Sequence, residues 1–580
     1  MRFKTVSFRD YMIIYKRSIE DPERFWEREA EKLIWRRKWS IVRSGERSWS
    51  RWFLEGELSV YENLIEKHTN TEWIMSKPAI IWEDEDYNTR IIFYSDLRDR
   101  SLVISKSLSE YGVGRGDWVV FYATPSIEIF EIFLAAIYLG AAVEFIFTGF
   151  GIEEVKKRIF NRKARHIVVV DGFFRKRRSI NLLRVLEEAI EKNSFVRNVF
   201  VVERIGVSSS DPRIVSYNEL LKGSVNKQDH VKYRSTDALI GLHVGYEEDF
   251  KPITHPAGGY LVQVYSTSKW IGLRPRDTYF CTVWPGWITA YSYIFFGPLM
   301  IGSTIILYEG APDHPSWERW FEILENYSVT LFLTTSGALR ILRRNIQDPL
   351  KKFRLDTLRA ILTTAEPLER DVWFWTYRSV GTGTRPIITS DPVELSGRIP
   401  VINLYIQSEI ATFATGNLVN YVFPPILPGS AGPPIPGFHI EVLDENNNSV
   451  IGSIGRLIIR NPWPSTPIEA PEEFHKSWDQ GFYDTGDLAI MNENKYVFPL
   501  GRRDSVLKIS GYRISPGAIV KTLMNYSNKI LSVRVARKYD ELRFETPVIY
   551  YVGEEDPDNI RRIIREKLTA IAEPREIISA

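Results

Sequence analysis

Short apolar runs separated by amphipathic stretches dominate the chain, and that alternation limits the folds open to it. The runs WVVFY (118–122), HIVVVD (166–171), STIILYEG (303–310), VTLFLTT (329–335) and LRAILTTA (358–365) are of strand length and apolar on both faces. Between them, SIEIFEIFLAAIYLG (126–140) and PSWERWFEILENY (315–327) repeat apolar residues at spacings of three and four, which predicts helices. Strands that alternate with helices pair in parallel and are covered on both faces. The expected fold class is therefore α/β, with layered, mostly parallel sheets flanked by helices and ligands gathered at strand ends. A boundary falls near GRRDSVLKISGYR (501–513), after which SVRVARK, TPVIYYV and DPDNIRRIIREKLTAI form a short α/β tail. The expected division is a large domain over 1–503 and a small one over 504–580.

Lys and Arg (75) nearly balance Asp and Glu (73), so the net charge of +2 gives no general attraction to nucleic acid or to an anionic membrane. The single cysteine, Cys281, excludes an intramolecular disulfide framework and fits a reducing, cytoplasmic setting; in TYFCTVW it reads as a core residue. The N-terminus lacks the apolar stretch of a secretory signal. Residues 278–308 carry no charge, but Pro285, Gly286, Gly297, Pro298 and Gly302 interrupt them. They read as buried strand and helix around a pocket, not as a membrane span.

Several motifs, in order, carry a resemblance. SIEDPERFWEREAEKLIW (18–35), GVGRGDWVVFY (112–122), FTGFGIEEVKKRI (147–159), GWITAYSYIFFGPLMIGSTIILYEGAP (286–312), AEP (365–367), YDTGD (483–487) and GRRD (501–504) together resemble the AMP-forming acetyl-CoA synthetases of the acyl-adenylate-forming superfamily. That resemblance implies a two-step ligase using Mg-ATP and CoA. A carboxylate attacks the α-phosphate to give an acyl-AMP, the C-terminal domain rotates, and the CoA thiol attacks the acyl carbonyl.

The family's phosphate loop needs small residues, hydroxyl donors and a lysine. Here Gly245 aligns with its first glycine and Lys251 with its last lysine, but Tyr246, Glu247, Glu248, Asp249 and Phe250 fill the interior. A carboxylate ~5 Å from a phosphate charge costs about 3 kcal/mol at an effective dielectric of ~20, so the loop is expected to repel a triphosphate. Two other readings stand beside this one: the acids hold a divalent cation that bridges to phosphate, or the loop is solvated surface. The family's adenylating lysine, from a motif resembling PKTRSGK, is not reached before Ala580, which adds to the expectation of impaired adenylation.

For the nucleoside half, the resemblance implies Glu366 and Pro367 beside adenine, with Ala365 in place of a glycine. It implies Asp487 and Arg502 at the ribose, Arg513 at the α-phosphate, Gln407 and Ser408 in the QTE-like segment, and Glu409 as the magnesium ligand. Asn403 and Ile406 depart from the family's Asp and Trp. The CoA positions implied are Arg175, Arg178 and Arg565 for the 3′-phosphate, with Ser510 and Gly511 along the pantetheine path; a solvated basic turn is the bland alternative for the arginines. Trp287, Ile288, Thr289 and Ile406 correspond to the acyl pocket, where loss of a tryptophan at 406 opens room for more than acetate or merely relaxes the packing. Asp504 matches the domain hinge, or serves as a turn cap.

Three functions remain open on this reading. One is a synthetase-like protein with impaired adenylation that binds CoA, acyl-CoA or AMP and partners an intact synthetase paralogue. The second is an active ligase for a short- or medium-chain carboxylic acid. The third is a structural protein with no ligand.

Overall fold

The computed structural model describes residues 8–191, 195–225, 228–246, 249–381, 399–419, 426–503, 506–514, 516–527 and 529–579. The apolar runs form two seven-stranded sheets. The first has the spatial order Ile214–Ser216, Asn198–Val202, His166–Val170, Trp118–Tyr122, Ala142–Phe145, Ala238–Tyr246, Asp249–Pro256; the second runs Val401–Asn403, Ala360–Thr364, Leu331–Thr335, Thr278–Cys281, Thr304–Glu309, Pro78–Asp84, Thr89–Phe93. Each is parallel except for one antiparallel strand at its edge. The α/β class read from the alternation is the class the chain adopts.

Helix Ile127–Tyr138 is buried on every face, as a helix enclosed by other elements must be. Ser126 caps it, accepting from the Ile129 N–H at 3.5 Å. The uncharged segment folds as strand Thr278–Cys281, a helical stretch from Ile288 to Ile301 and strand Thr304–Glu309. Gly302, at φ 85°, ends the helix in the left-handed conformation that favours glycine. No helix among the described residues is long and apolar enough to cross a membrane.

Strand pairing and one hydroxyl position the site. Where Ala142–Phe145 and Ala238–Tyr246 part, the Tyr291 hydroxyl accepts from the Phe145 N–H at 2.5 Å and donates to the Gly241 carbonyl at 2.8 Å. A third sheet, Ile440–Leu443, Ile454–Ile459, Tyr483–Met491 and Val497–Arg502, leads into the C-terminal region. There Tyr512–Ile514, Leu507–Ile509, Phe544–Gly553 and Ile530–Asp540 form an antiparallel sheet, with Glu576–Ser579 parallel to Phe544–Gly553.

Candidate nucleotide and CoA site

The segment aligned with a phosphate loop is not a loop along most of its length. Ala238–Tyr246 and Asp249–Pro256 pair antiparallel down to Tyr246 opposite Asp249, with Gly245 opposite Phe250 and Val244 opposite Lys251. In extended strands successive N–H groups point to opposite sides, so they cannot converge on one anion as a turn-shaped nest does. Phe250, 7% exposed, packs into the C-terminal core with Leu507, Ile509 and Ile514. The Arg158 guanidinium stacks over its ring at 4.7 Å. A side chain at Gly245 would meet the Arg513 carbonyl oxygen at 2.6 Å, so hairpin and C-terminal sheet touch backbone to side-chain position. Lys251 forms an ion pair with Glu473. Glu247 and Glu248 lie outside the described residues, as does Asp504, the expected hinge. Among the described residues no cluster of three or more His, Cys, Asp or Glu suits a metal ion.

A buried ion network holds the hairpin's base. Arg162, 2% exposed at its side chain, pairs with Glu144 and with Glu469 at 2.7 Å. It also donates to the Thr254 hydroxyl at 2.9 Å and to the Ile253 carbonyl at 2.8 Å. Its guanidinium lies over Trp118 at 4.4 Å. His243 Nδ1 lies 2.6 Å from Glu144 Oε1, and burial lowers the His243 pKa, so the ring is neutral and donates from Nδ1.

The positions aligned with a nucleoside site do converge. Asp487 and Arg502 are cross-strand neighbours, with Arg502 Nη1 at 3.6 Å from Asp487 Oδ1. Tyr405 and Gln407 donate to Asp487 Oδ2 at 2.6 and 3.0 Å, and Tyr483 donates to Gln407 Oε1 at 3.0 Å. Burial raises the Asp487 pKa, but Arg502 and Lys508 more than offset it and hold the carboxyl below its ordinary value. Asp487 Oδ1 is buried and accepts no hydrogen bond among the described residues, which suits a ligand hydroxyl. Arg513 Nη1, by contrast, is 2.5 Å from Glu409 Oε1. The two groups expected to meet phosphate and magnesium neutralise each other.

Gly245, Ile406, Gln407, Ser408, Asp487, Arg502, Gly511 and Arg513, with Trp287, Ile288 and Thr289, all border one cavity of about 100 Å³. Gly511, at φ 83°, has no room for a side chain, since a Cβ there would lie 2.7 Å from Ala365 Cβ and 2.9 Å from the Trp287 ring. Ala365 itself sits at φ 79°, a conformation costing roughly 1–2 kcal/mol for a residue with a Cβ. Glu366 and Pro367 border a neighbouring cleft of about 20 Å³. Glu366 is buried against Arg340 at 3.1 Å.

Burial pushes the Glu366 carboxyl up to about 7 from 4.5, with Arg340 and Lys508 pulling the other way. A raised folded-state pKa gives stability that is complete below the unfolded value and lost as pH rises through the folded one. The unfolding free energy is therefore expected to fall between pH 4.5 and 7, by up to roughly 3 kcal/mol. Denaturant melts of wild type and Glu366→Gln across that window check this; the variant should lack the slope, and parallel pH profiles would refute the assignment.

A second, larger cavity of about 540 Å³ is bordered by Arg175, Ser510, Tyr512 and Trp287. Arg175 and Arg178 are cross-strand neighbours on an exposed hairpin. Lys176, between them, pairs with Asp313. Arg178 and Arg565 are not among the described residues that line the cavity, and Arg565 is held by Glu573 at 2.5 Å. Burial pushes the Cys281 thiol up to about 12, so this wall residue stays protonated.

Sequence reasoning missed Lys508, which borders the nucleoside-side cavities, and Arg543, which borders the large one. Period-two alternation in LKIS offered a signal for Lys508: Leu507 and Ile509 are buried, so Lys508 and Ser510 share the opposite face. Arg543 follows a turn and has no pattern to betray it.

Comparison with known proteins places the chain in a family. The model of the family described as AMP-binding enzyme matches residues 68–466, and that of the acetyl-coenzyme A synthetase N-terminus matches residues 11–64. An acetyl-coenzyme A synthetase of Pyrobaculum aerophilum is 30% identical over 98% of this chain and 87% of its own length. One from Rubrobacter xylanophilus is 31% identical over 97% and 88%. The structure of the acetoacetyl-CoA synthetase from Streptomyces lividans shares the fold, with a TM-score of 0.77 at 20% identity over 98% of this chain and 86% of that one. The chain belongs to the AMP-binding enzyme family and, within it, to the acyl- and acetyl-CoA synthetase-like proteins.

Proposed function

We propose that this protein is a synthetase-like binder of CoA or acyl-CoA whose ATP-dependent adenylation is impaired, acting in the cytoplasm alongside an intact synthetase paralogue. The observation that carries this reading is the strand pairing of 238–246 with 249–256. Mg-ATP does not fit there: the N–H groups alternate in direction, Lys251 is paired with Glu473, and Glu409 with Arg513. AMP is assigned to Asp487, whose cavity of about 100 Å³ must widen to take it, and CoA to Arg175 and Ser510, with residues 504–580 as the mobile unit.

Calorimetric titration of the purified protein tests this: CoA should bind and Mg-ATP should not. Arg175→Ala should weaken CoA by about 10- to 100-fold, the scale of a lost charged hydrogen bond. Pyrophosphate release with CoA and a panel of carboxylic acids would overturn the reading. A second reading, an active short- or medium-chain acyl-CoA ligase, draws support from the intact Tyr405–Gln407–Asp487–Arg502 set. In it the hairpin would open to admit ATP, and pyrophosphate release would establish it.

A further inference from the structure

We infer that the large cavity holds the acyl half of an acyl-CoA as well as its CoA half, and that the acyl group it takes is apolar and of medium length. This rests on the CoA reading of Arg175 and Ser510 given above. The cavity's volume, about 540 Å³, lies within the range of small-molecule sites. Its only charged lining residues among those described are Arg175 and Arg543. Arg175 is exposed, so that side is the mouth. At the other side lie Phe280, Cys281, Leu307 and Trp320, each no more than 7% exposed, where three parallel strands end.

Several polar groups near that blind end have partners within the protein. Thr282 and Thr334 share a hydrogen bond at 2.7 Å, the Tyr308 hydroxyl donates to the His314 carbonyl at 3.0 Å, and the Trp284 indole donates to Thr148 at 3.0 Å. An alkyl chain there would gain from burial, whereas a free carboxylate would have to give up its hydration. A thioester carries no charge, so an acyl-CoA suits this apolar end better than the free acid does. Trp287 and Tyr512 line both this cavity and the 100 Å³ nucleoside-side one, with ring centroids 3.4 Å apart, and form the wall between them. An acyl-CoA would enter whole from the Arg175 side.

The test is a calorimetric series of CoA, acetyl-CoA, hexanoyl-CoA and octanoyl-CoA with the full chain. Burial of each methylene is worth up to about fourfold, so octanoyl-CoA should bind at least tenfold tighter than acetyl-CoA. Leu307→Trp, which fills the blind end, should bring octanoyl-CoA down to the affinity of acetyl-CoA; Leu307→Phe should lie between and guards against misfolding of the larger replacement. Equal affinities along the series, with CoA bound, would overturn this inference and leave the CoA reading standing. Failure of every thioester and of CoA itself would overturn both.

Discussion

Replacing Arg162 by methionine is expected to lower the free energy of unfolding by about 3–5 kcal/mol, the scale of breaking a buried ion pair from one side. The guanidinium meets Glu144, Glu469, the Thr254 hydroxyl and two carbonyls in a place almost without solvent. Methionine fills similar space but leaves Glu144, fully buried, with only a neutral histidine. Burial alone would raise the Glu144 pKa; Arg162 and His243 more than offset it and take it down to about 2. A depressed carboxylate contributes stability above its unfolded value and loses it as pH falls through the folded one. The deficit of the variant should therefore be larger at pH 7, where wild type keeps Glu144 charged, than at pH 3, where burial without Arg162 leaves the variant's Glu144 protonated. Urea melts at pH 7 and pH 3 measure both, and the double variant with Glu144→Gln should lose less than the two single losses added. A single-variant loss under about 1 kcal/mol would mean that the network is hydrated and not a structural tie.

The hairpin that this network supports was the part of the fold least legible in the sequence. Runs such as WVVFY and HIVVVD announce buried parallel strands because both faces are apolar, and they fold as such. GYEEDFKPITHP carries neither alternation nor a turn dipeptide strong enough to declare a hairpin. Its strand character comes from contacts distant in sequence: Phe250 packs on Leu507 and Ile514, and Thr254 pairs its backbone with Glu469. The C-terminal helix shows the same override. DPDNIRRIIREKLTAI reads as one helix, yet it runs as an α-helix over Pro557–Ile563, a π-turn over Ile564–Leu568 and a short 3₁₀ turn over Ala570–Ala572. The Leu568 carbonyl accepts from the Gly151 N–H at 3.0 Å, and Thr569 bridges Phe150, so docking on the large domain reshapes the helix end. At the site, Asp487, Arg502 and Gln407 were named only through the resemblance to the synthetases, and they border one cavity. The pairing of Arg513 with Glu409 was not legible, since it depends on how the C-terminal sheet sits.

Exchanging residues 246–250 for a glycine-, serine- and threonine-rich sequence, with Gly245 and Lys251 kept, is expected to raise Mg-ATP affinity by at least about 100-fold. Removing even one carboxylate ~5 Å from phosphate relieves about 3 kcal/mol, which is that factor. The exchange acts on the backbone as well. Glycines release the extended pairing opposite Gly245 and Val244, so that successive N–H groups can turn toward one anion. Loss of Phe250 also removes an apolar anchor from the C-terminal core, and with it a contact between the hairpin and that sheet. The exchanged chain should thus bind Mg-ATP in calorimetry and show faster proteolysis around 504–515, while the CoA affinity proposed for Arg175, which lines the other cavity, should stay as it was. Restored nucleotide binding without pyrophosphate release would separate the two barriers: the hairpin excludes the triphosphate, and chemistry lacks a cation at the α-phosphate for as long as Glu409 holds Arg513. Mg-ATP binding unchanged by the exchange would instead locate the obstacle at that ion pair, and Glu409→Gln would then be the substitution that admits the nucleotide.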